Sequence, residues 1–177
     1  MGSVVPVSWR NRGSRGVIIV GTRSTVKFYE SYEGKNDLIA SVYQQYDGYF
    51  EGVGLDLVDF LLSRRYTNGL NAETGYTLKT ANGPGCLAAS YIATHKTEAG
   101  DVYMTNSGDT QEYNYRVYFD MKNYLSDIMD PDELISVEVR DWNNCILFPA
   151  ASPSELRRFI TVEIPNRDYE EMYDEEN

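Results

Sequence analysis

A chain of 177 residues is long enough for one domain with a substantial core, since a domain of about 150 residues buries roughly 68–70% of the surface its unfolded chain exposes. Its 42% hydrophobic and 24% charged residues are those of a soluble globular protein, and no apolar run approaches the roughly 18 residues of a membrane span. Sixteen Lys and Arg against 27 Asp and Glu leave a net charge of -11, a field that repels phosphate and argues against nucleic acid as a partner of the protein body.

Residues 1–20 contain Arg10, Arg12 and Arg15 and no acid, while Gly13, Ser14 and Gly16 break any periodicity, so they read as a basic arm. Two readings stay open: a poorly ordered terminus, or an arm that docks on a partner or on nucleic acid. Residues 17–20 could add an edge strand. They also follow the arginines as a secretory leader would, but four apolar residues fall short of the roughly 7–15 of such a leader, and no export signal is expected.

Residues 22–29 alternate Ser24, Val26 and Phe28 with Arg23, Thr25 and Lys27, the pattern of a half-buried strand. After a turn over 32–37, residues 38–46 return as a second strand, so a hairpin is expected. Asp47-Gly48 supplies a sharp turn, and Val53, Leu57, Val58, Leu61 and Leu62 then recur at helical spacing, which predicts a helix over 52–65. Residues 67–85, rich in Asn and Gly, read as a surface loop. A second helix over 86–96 carries the stripe Leu87, Ala88, Tyr91 and Ile92.

Further strands are expected over 102–105, 112–119, 135–142 and 145–148, the second of them through alternating Tyr113, Tyr115, Val117 and Phe119. Residues 121–133 suggest a short helix ended near Pro131. Ser152-Pro153-Ser154-Glu155 is a capping box with proline at the first helical position, predicting a helix over 153–160. Six acids follow Ile164, a composition that does not pack alone and reads as a solvated tail. No repeat of 20 to 50 residues is present, which excludes solenoids and propellers. The expected architecture is a single α+β domain over 21–164, flanked by the arm (1–20) and the acidic tail (165–177). Its antiparallel or mixed sheet carries two main helices on one face and a short C-terminal helix.

Three blocks share their order and spacing with a known family. They are Gly21-Thr22-Arg23-Ser24; Tyr43-x-Gln45-Tyr46-Asp47-Gly48-Tyr49 with Gly52-x-Gly54; and Ala81-Asn82-Gly83-x-Gly85-Cys86-Leu87-Ala88-Ala89. With the Glu112-Tyr113-x-Tyr115 strand, they resemble a family of small uncharacterised proteins of bacteriophages, large DNA viruses and some bacteria. The resemblance spans about residues 21–160 and implies a viral or phage context, in the virion or the host cytoplasm. It implies no reaction. Some relatives carry histidine where this chain has Gln45, which weakens a general-base role there. Relatives begin at the position of Gly21, so the arm and the tail are additions.

Two polar constellations are candidate sites. Residues 82–86 form a glycine-rich turn into a helix, where free backbone N–H groups could hold an anion and Cys86 could act as a nucleophile. The competing reading makes Asn82, Gly83 and Gly85 a tight turn and Cys86 a small core residue. His95, the only histidine, lies nine residues further along the same helix, about 13.5 Å of rise, so a Cys-His pair within one chain fails.

The second constellation is Arg23 with Tyr46, Asp47 and Tyr49, either a binding pocket or an Asp-Gly turn with Arg23 as the ion-pair partner of Asp47. Asp56 and Asp59 read as a solvated helix face. No zinc spacing, phosphate loop, nucleophile elbow or dinucleotide fingerprint occurs, so neither a metal nor a cofactor is expected and the balance leans away from an enzyme. Cys86 and Cys145 are too few for a disulfide framework, although one bridge remains possible. Fifteen tyrosines, several on strands, suit either a core with hydroxyls at its edge or a protein interface. The expected partner is a protein or a second copy, with no membrane, and with nucleic acid only through the arm.

Overall fold

The computed structural model describes residues 21–70 and 79–166. Strands β1 (Ser24–Tyr32) and β2 (Lys35–Gln44) pair as the expected hairpin. Glu33 and Gly34 alone make the turn, at φ 48° and 81°. Two left-handed residues in succession give the turn whose twist matches that of paired strands. The turn expected over 32–37 therefore shrinks to two residues, and both strands are longer than predicted.

Six strands form one mixed sheet in the order β5 (Val102–Met104), β2, β1, β6 (Tyr113–Asp120), β7 (Ile135–Arg140) and β8 (Ile146–Ala151). Neighbours are antiparallel except β1 and β6, which run parallel. The sequence period of two puts Val26 and Phe28, Ala40 and Val42, Tyr115 and Val117, and Val137 and Val139 on one buried face.

Helices cover that face. Helix α1 (Leu55–Leu62) continues a π-helical turn at Phe50–Gly54, and α2 (Gly83–His95) follows a pair of two-residue parallel strands, β3 (Arg65–Tyr66) and β4 (Thr80–Ala81). Leu57, Leu61, Leu87 and Tyr91 reach the sheet fully buried, each leucine worth roughly 1.5–3 kcal/mol in removal from water. Gln44 Nε2 donates to the Tyr91 hydroxyl at 2.7 Å, so the largest core side chain keeps its polar tip satisfied.

Two short helices replace the one expected over 121–133. Asp120 caps α3 (Met121–Leu125), and Asp130 caps α4 (Pro131–Leu134). Pro131 thus begins a helix instead of ending one, because its missing N–H falls where the helix has no use for it. The capping box forms as predicted at Ser152 and Glu155 and starts α5 (Pro153–Arg158), which continues past Ile160 through a π-helical turn at Phe159–Glu163. The arm, its edge strand at 17–20 and the acids from 168 onward lie outside the described residues. No helix among the described residues is long and apolar enough to cross a membrane.

The opposite face of the sheet is polar. The link between β5 and β6 folds across it, held by Lys27 Nζ, which donates to the carbonyls of Ser107 (2.9 Å) and Asp109 (2.6 Å). Burial of Lys27 lowers its pKa, and the nearby Arg116 charge acts in the same direction. Asn114 completes the attachment, accepting from Thr25 Oγ1 and the Gln111 amide and donating to the Gln111 carbonyl.

Candidate functional site

Both sequence-derived constellations are turns that launch helices on the sheet. At the first, the chain leaves β2 and crosses the start of β1, where the Gly48 amide donates to the Thr22 carbonyl at 2.9 Å and the Gly48 carbonyl accepts from the buried Tyr115 hydroxyl at 2.9 Å. A Cβ on Gly48 would lie 2.7 Å from the Arg23 carbonyl carbon, and one on Gly52 would lie 2.1 Å from the Asp47 carbonyl oxygen. Only glycine permits these approaches. Asp47 occupies the left-handed region at φ 54°, which Asp tolerates better than most residues, and its carbonyl accepts from the Val53 amide at 2.8 Å.

With the backbone so fixed, the side chains face outward. Tyr46 is 59% exposed and Tyr49 38%. The Tyr49 hydroxyl donates to Asp47 Oδ1 at 3.4 Å, and the Asp47 charge is the main reason its pKa stands above the ordinary value. The expected Arg23–Asp47 ion pair is not formed. Arg23 is exposed and tied down through its backbone, its amide donating to Glu112 Oε2 (3.2 Å) and its carbonyl accepting from the Tyr113 amide (3.3 Å).

Sheet register brings a further group to this end of the molecule. Ser24 lies beside Tyr113, Asn114 beside Arg140 and Arg140 beside Ile146, so the turn between β7 and β8 shares an end with Arg23. Trp142 in that turn is 66% exposed and lines an open cavity of about 310 Å³ with Thr110, Gln111 and Glu112. Sequence reading does not single out Trp142. The available signal is a large aromatic inside the polar turn Asp141-Trp142-Asn143-Asn144, where a core residue would not be placed.

The second constellation is organised inward. Helix α2 begins at Gly83, three residues before the predicted start, with Gly83 at φ 80°. Asn82 sits at the cap position but gives its side chain to the neighbouring loop, its Oδ1 accepting from the Gly69 amide (2.8 Å) and the Tyr124 hydroxyl (3.1 Å). Cys86 is half-buried, its Sγ 3.7 Å from the Thr80 carbonyl that it faces as a donor. Gly85 is exposed with open space around it. No group of His, Cys, Asp or Glu among the described residues could hold a metal ion.

His95 has a different use from the one a thiol would need. Its Nδ1 lies 2.7 Å from the Tyr91 carbonyl and its Nε2 2.6 Å from Asp56 Oδ2, while its ring stacks on Tyr91 at 4.0 Å. Burial opposes its charge, but the hydrogen bonds to Asp56 and to the Tyr91 carbonyl, with the Asp56 charge, outweigh that and raise its pKa. Two acceptors on two ring nitrogens suit the imidazolium, which donates to both. Asp56 therefore ties α1 to α2, and Asp59 ties α1 to α5 through Arg157 at 2.9 Å, so both acids of the expected solvated face make inter-helix bonds while staying exposed.

Comparison of the chain with protein-family models, with curated proteins and with solved structures gave no match.

Proposed function

We propose that this is a viral or phage-associated accessory or structural protein that works by binding a protein partner, without catalysis. The viral association rests on the resemblance carried by the three sequence blocks. The binding reading rests on one observation: Tyr46, Tyr49 and Trp142 stand exposed at one end of the sheet with Arg23, on turns whose backbones are held rigidly. Tyrosine, tryptophan and arginine are the residues that dominate binding energy at protein interfaces, and a fixed backbone lowers the ordering cost of using them.

The alternative, a small enzyme or anion-binding protein at residues 82–86, is the weaker reading, because Asn82 gives its Oδ1 to Gly69 and Tyr124 and the group that Cys86 faces is the Thr80 carbonyl, which is no base. One experiment separates the two. The full chain and a Tyr46→Ser, Tyr49→Ser, Trp142→Ser variant are used to capture proteins from infected cells or purified virions. Loss of a defined partner in the variant is expected. Equal capture by both chains, or a Cys86 thiol that reacts faster than exposed Cys145 and loses that reactivity to bound phosphate, would overturn the reading.

A further inference from the structure

The outer strand of the second half of the sheet carries a feature that the first site does not use. Between β8 and α5 lies a groove of about 360 Å³, with Phe148 and Phe159 in contact on its floor (ring centroids 5.0 Å apart) and Leu147 and Pro149 on its strand wall. Ile146, Leu147 and Val162 beside it are exposed, so the apolar surface continues out of the groove. Its helix wall carries Glu155, Arg158 and Glu163, and Arg158 is already paired with Glu163 at 2.8 Å. Glu155 accepts only from Ser152, and Asp132 accepts from the Ser154 amide at the same end, so neither has a cationic partner among the described residues. The groove is apolar within and acidic at its rim.

We propose that this groove is occupied by the chain's own N-terminal segment, residues 4–15. Val4, Val5, Val7 and Trp9 supply apolar side chains, and Arg10, Arg12 and Arg15 supply cations with no acid among them. The segment thus complements both the floor and the rim. Reach also favours it. Ser24 and Ile146 share a row across the sheet, through Tyr113, Asn114 and Arg140, with three strand spacings between β1 and β8. That is about 14 Å. The six residue steps from Arg15 to Gly21 span up to roughly 20 Å when extended, so everything before Arg15 is free to lie along β8. Pro149 in β8 has no N–H to offer a continuous added strand, which places the recognition in side chains entering the groove instead of in a seventh full strand. Sequence reading leaves the arm either poorly ordered or docked on a partner or on nucleic acid. The row of strands puts a fitting groove within reach of the same chain.

Trp9 and Trp142 are the only tryptophans, so Trp142→Phe in the full chain leaves Trp9 as the sole reporter. The expected result is a Trp9 emission blue-shifted from that of the denatured chain and shielded from acrylamide. Leu147→Asp and Val162→Asp, each at an exposed position, should return it to the denatured value while far-UV circular dichroism stays unchanged. Three outcomes overturn the proposal. Trp9 emission could match that of the denatured chain with the groove intact, or stay blue-shifted in both groove variants. It could also shift only as concentration rises, together with a doubled mass by light scattering, which would assign the groove to a second copy.

Discussion

The turns at Asp47 and at Asn82 look alike in sequence, since each sets two or three glycines and an Asx residue before a helix, yet they spend their polar groups in opposite ways. Around Asp47 the backbone makes the internal bonds, with Thr22, Val53 and Tyr115, and the side chains of Tyr46, Asp47 and Tyr49 are left outside. Around Asn82 the side chain makes them, joining Gly69 and Tyr124, and little is left to offer a ligand. A turn becomes a recognition surface when its main chain alone can hold it. The glycines serve different ends too: Gly48 and Gly52 admit another backbone at close range, whereas Gly85 has empty space beside it.

Substitution at those glycines breaks the comparison most sharply. Gly52→Ala should cost at or beyond the upper end of the roughly 1–3 kcal/mol of overpacking, because the carbonyl at 2.1 Å belongs to a backbone that Val53 also holds. Urea unfolding measures it, and a loss under about 0.5 kcal/mol would mean the turn relaxes freely. Asn82→Ala comes next, with a loss of about 0.5–1.5 kcal/mol by the same assay, since it removes the acceptor of the exposed Gly69 amide and one of the two acceptors of the Tyr124 hydroxyl, which keeps the Thr67 carbonyl. Asp47→Asn should stay within about 0.5 kcal/mol, as Asn also accepts a left-handed φ and the carboxylate faces water.

The helices that the two turns launch meet at Asp56 and His95, and pH sharpens the comparison there. With its pKa raised in the folded state, His95 contributes stability that is fully present below about pH 6.5 and is lost as pH rises through the raised value. Unfolding free energy should therefore fall with pH in that window, and Asp56→Asn should flatten the decline. A profile identical in the two chains would show that the pair does not couple to folding. The remaining effect has the opposite sign: Gly85→Ala, in the first turn of α2 with nothing within 4 Å, should be neutral or stabilising by up to about 1 kcal/mol.

Most of the fold is legible in the sequence because period and burial agree. Val26 and Phe28 on β1, and Tyr115, Val117 and Phe119 on β6, alternate as predicted and are buried as predicted. The capping box at Ser152 and Glu155 is a local chemical signal and forms where it is read. Misreadings fall where local signals have two solutions. Pro131 can end one helix or begin another, and Asp130 beside it decides for beginning. The tyrosines divide by face: Tyr115 is core, while Tyr29 and Tyr118 stack on the polar face at 5.3 Å, a split that a count of tyrosines cannot contain. At the site, Arg23, Tyr46, Asp47 and Tyr49 are readable because their blocks are compact. Trp142 joins them only through the register of β6, β7 and β8, which one strand's pattern does not reveal.

The parallel pairing of β1 with β6 within the six-stranded sheet has a consequence for how the molecule comes together. Residues up to 104 supply one three-stranded half, in which β5 returns to β2 after both main helices, and residues from 113 supply the other, so the sheet is two halves joined along one seam. The β1–β2 and β7–β8 hairpins close short loops, whereas β2 and β5 pair Val42 with Met104 across 62 positions, and the seam pairs Ser24 with Tyr113 across 89 and bears the largest closure entropy. Joining the two halves is thus the expected slow step, with Thr25 and Asn114, hydrogen-bonded across that line at 2.8 Å, as its latch. Weakening the latch by Thr25→Val should therefore slow folding more than it speeds unfolding in stopped-flow kinetics, since the line is one that neither half can build alone.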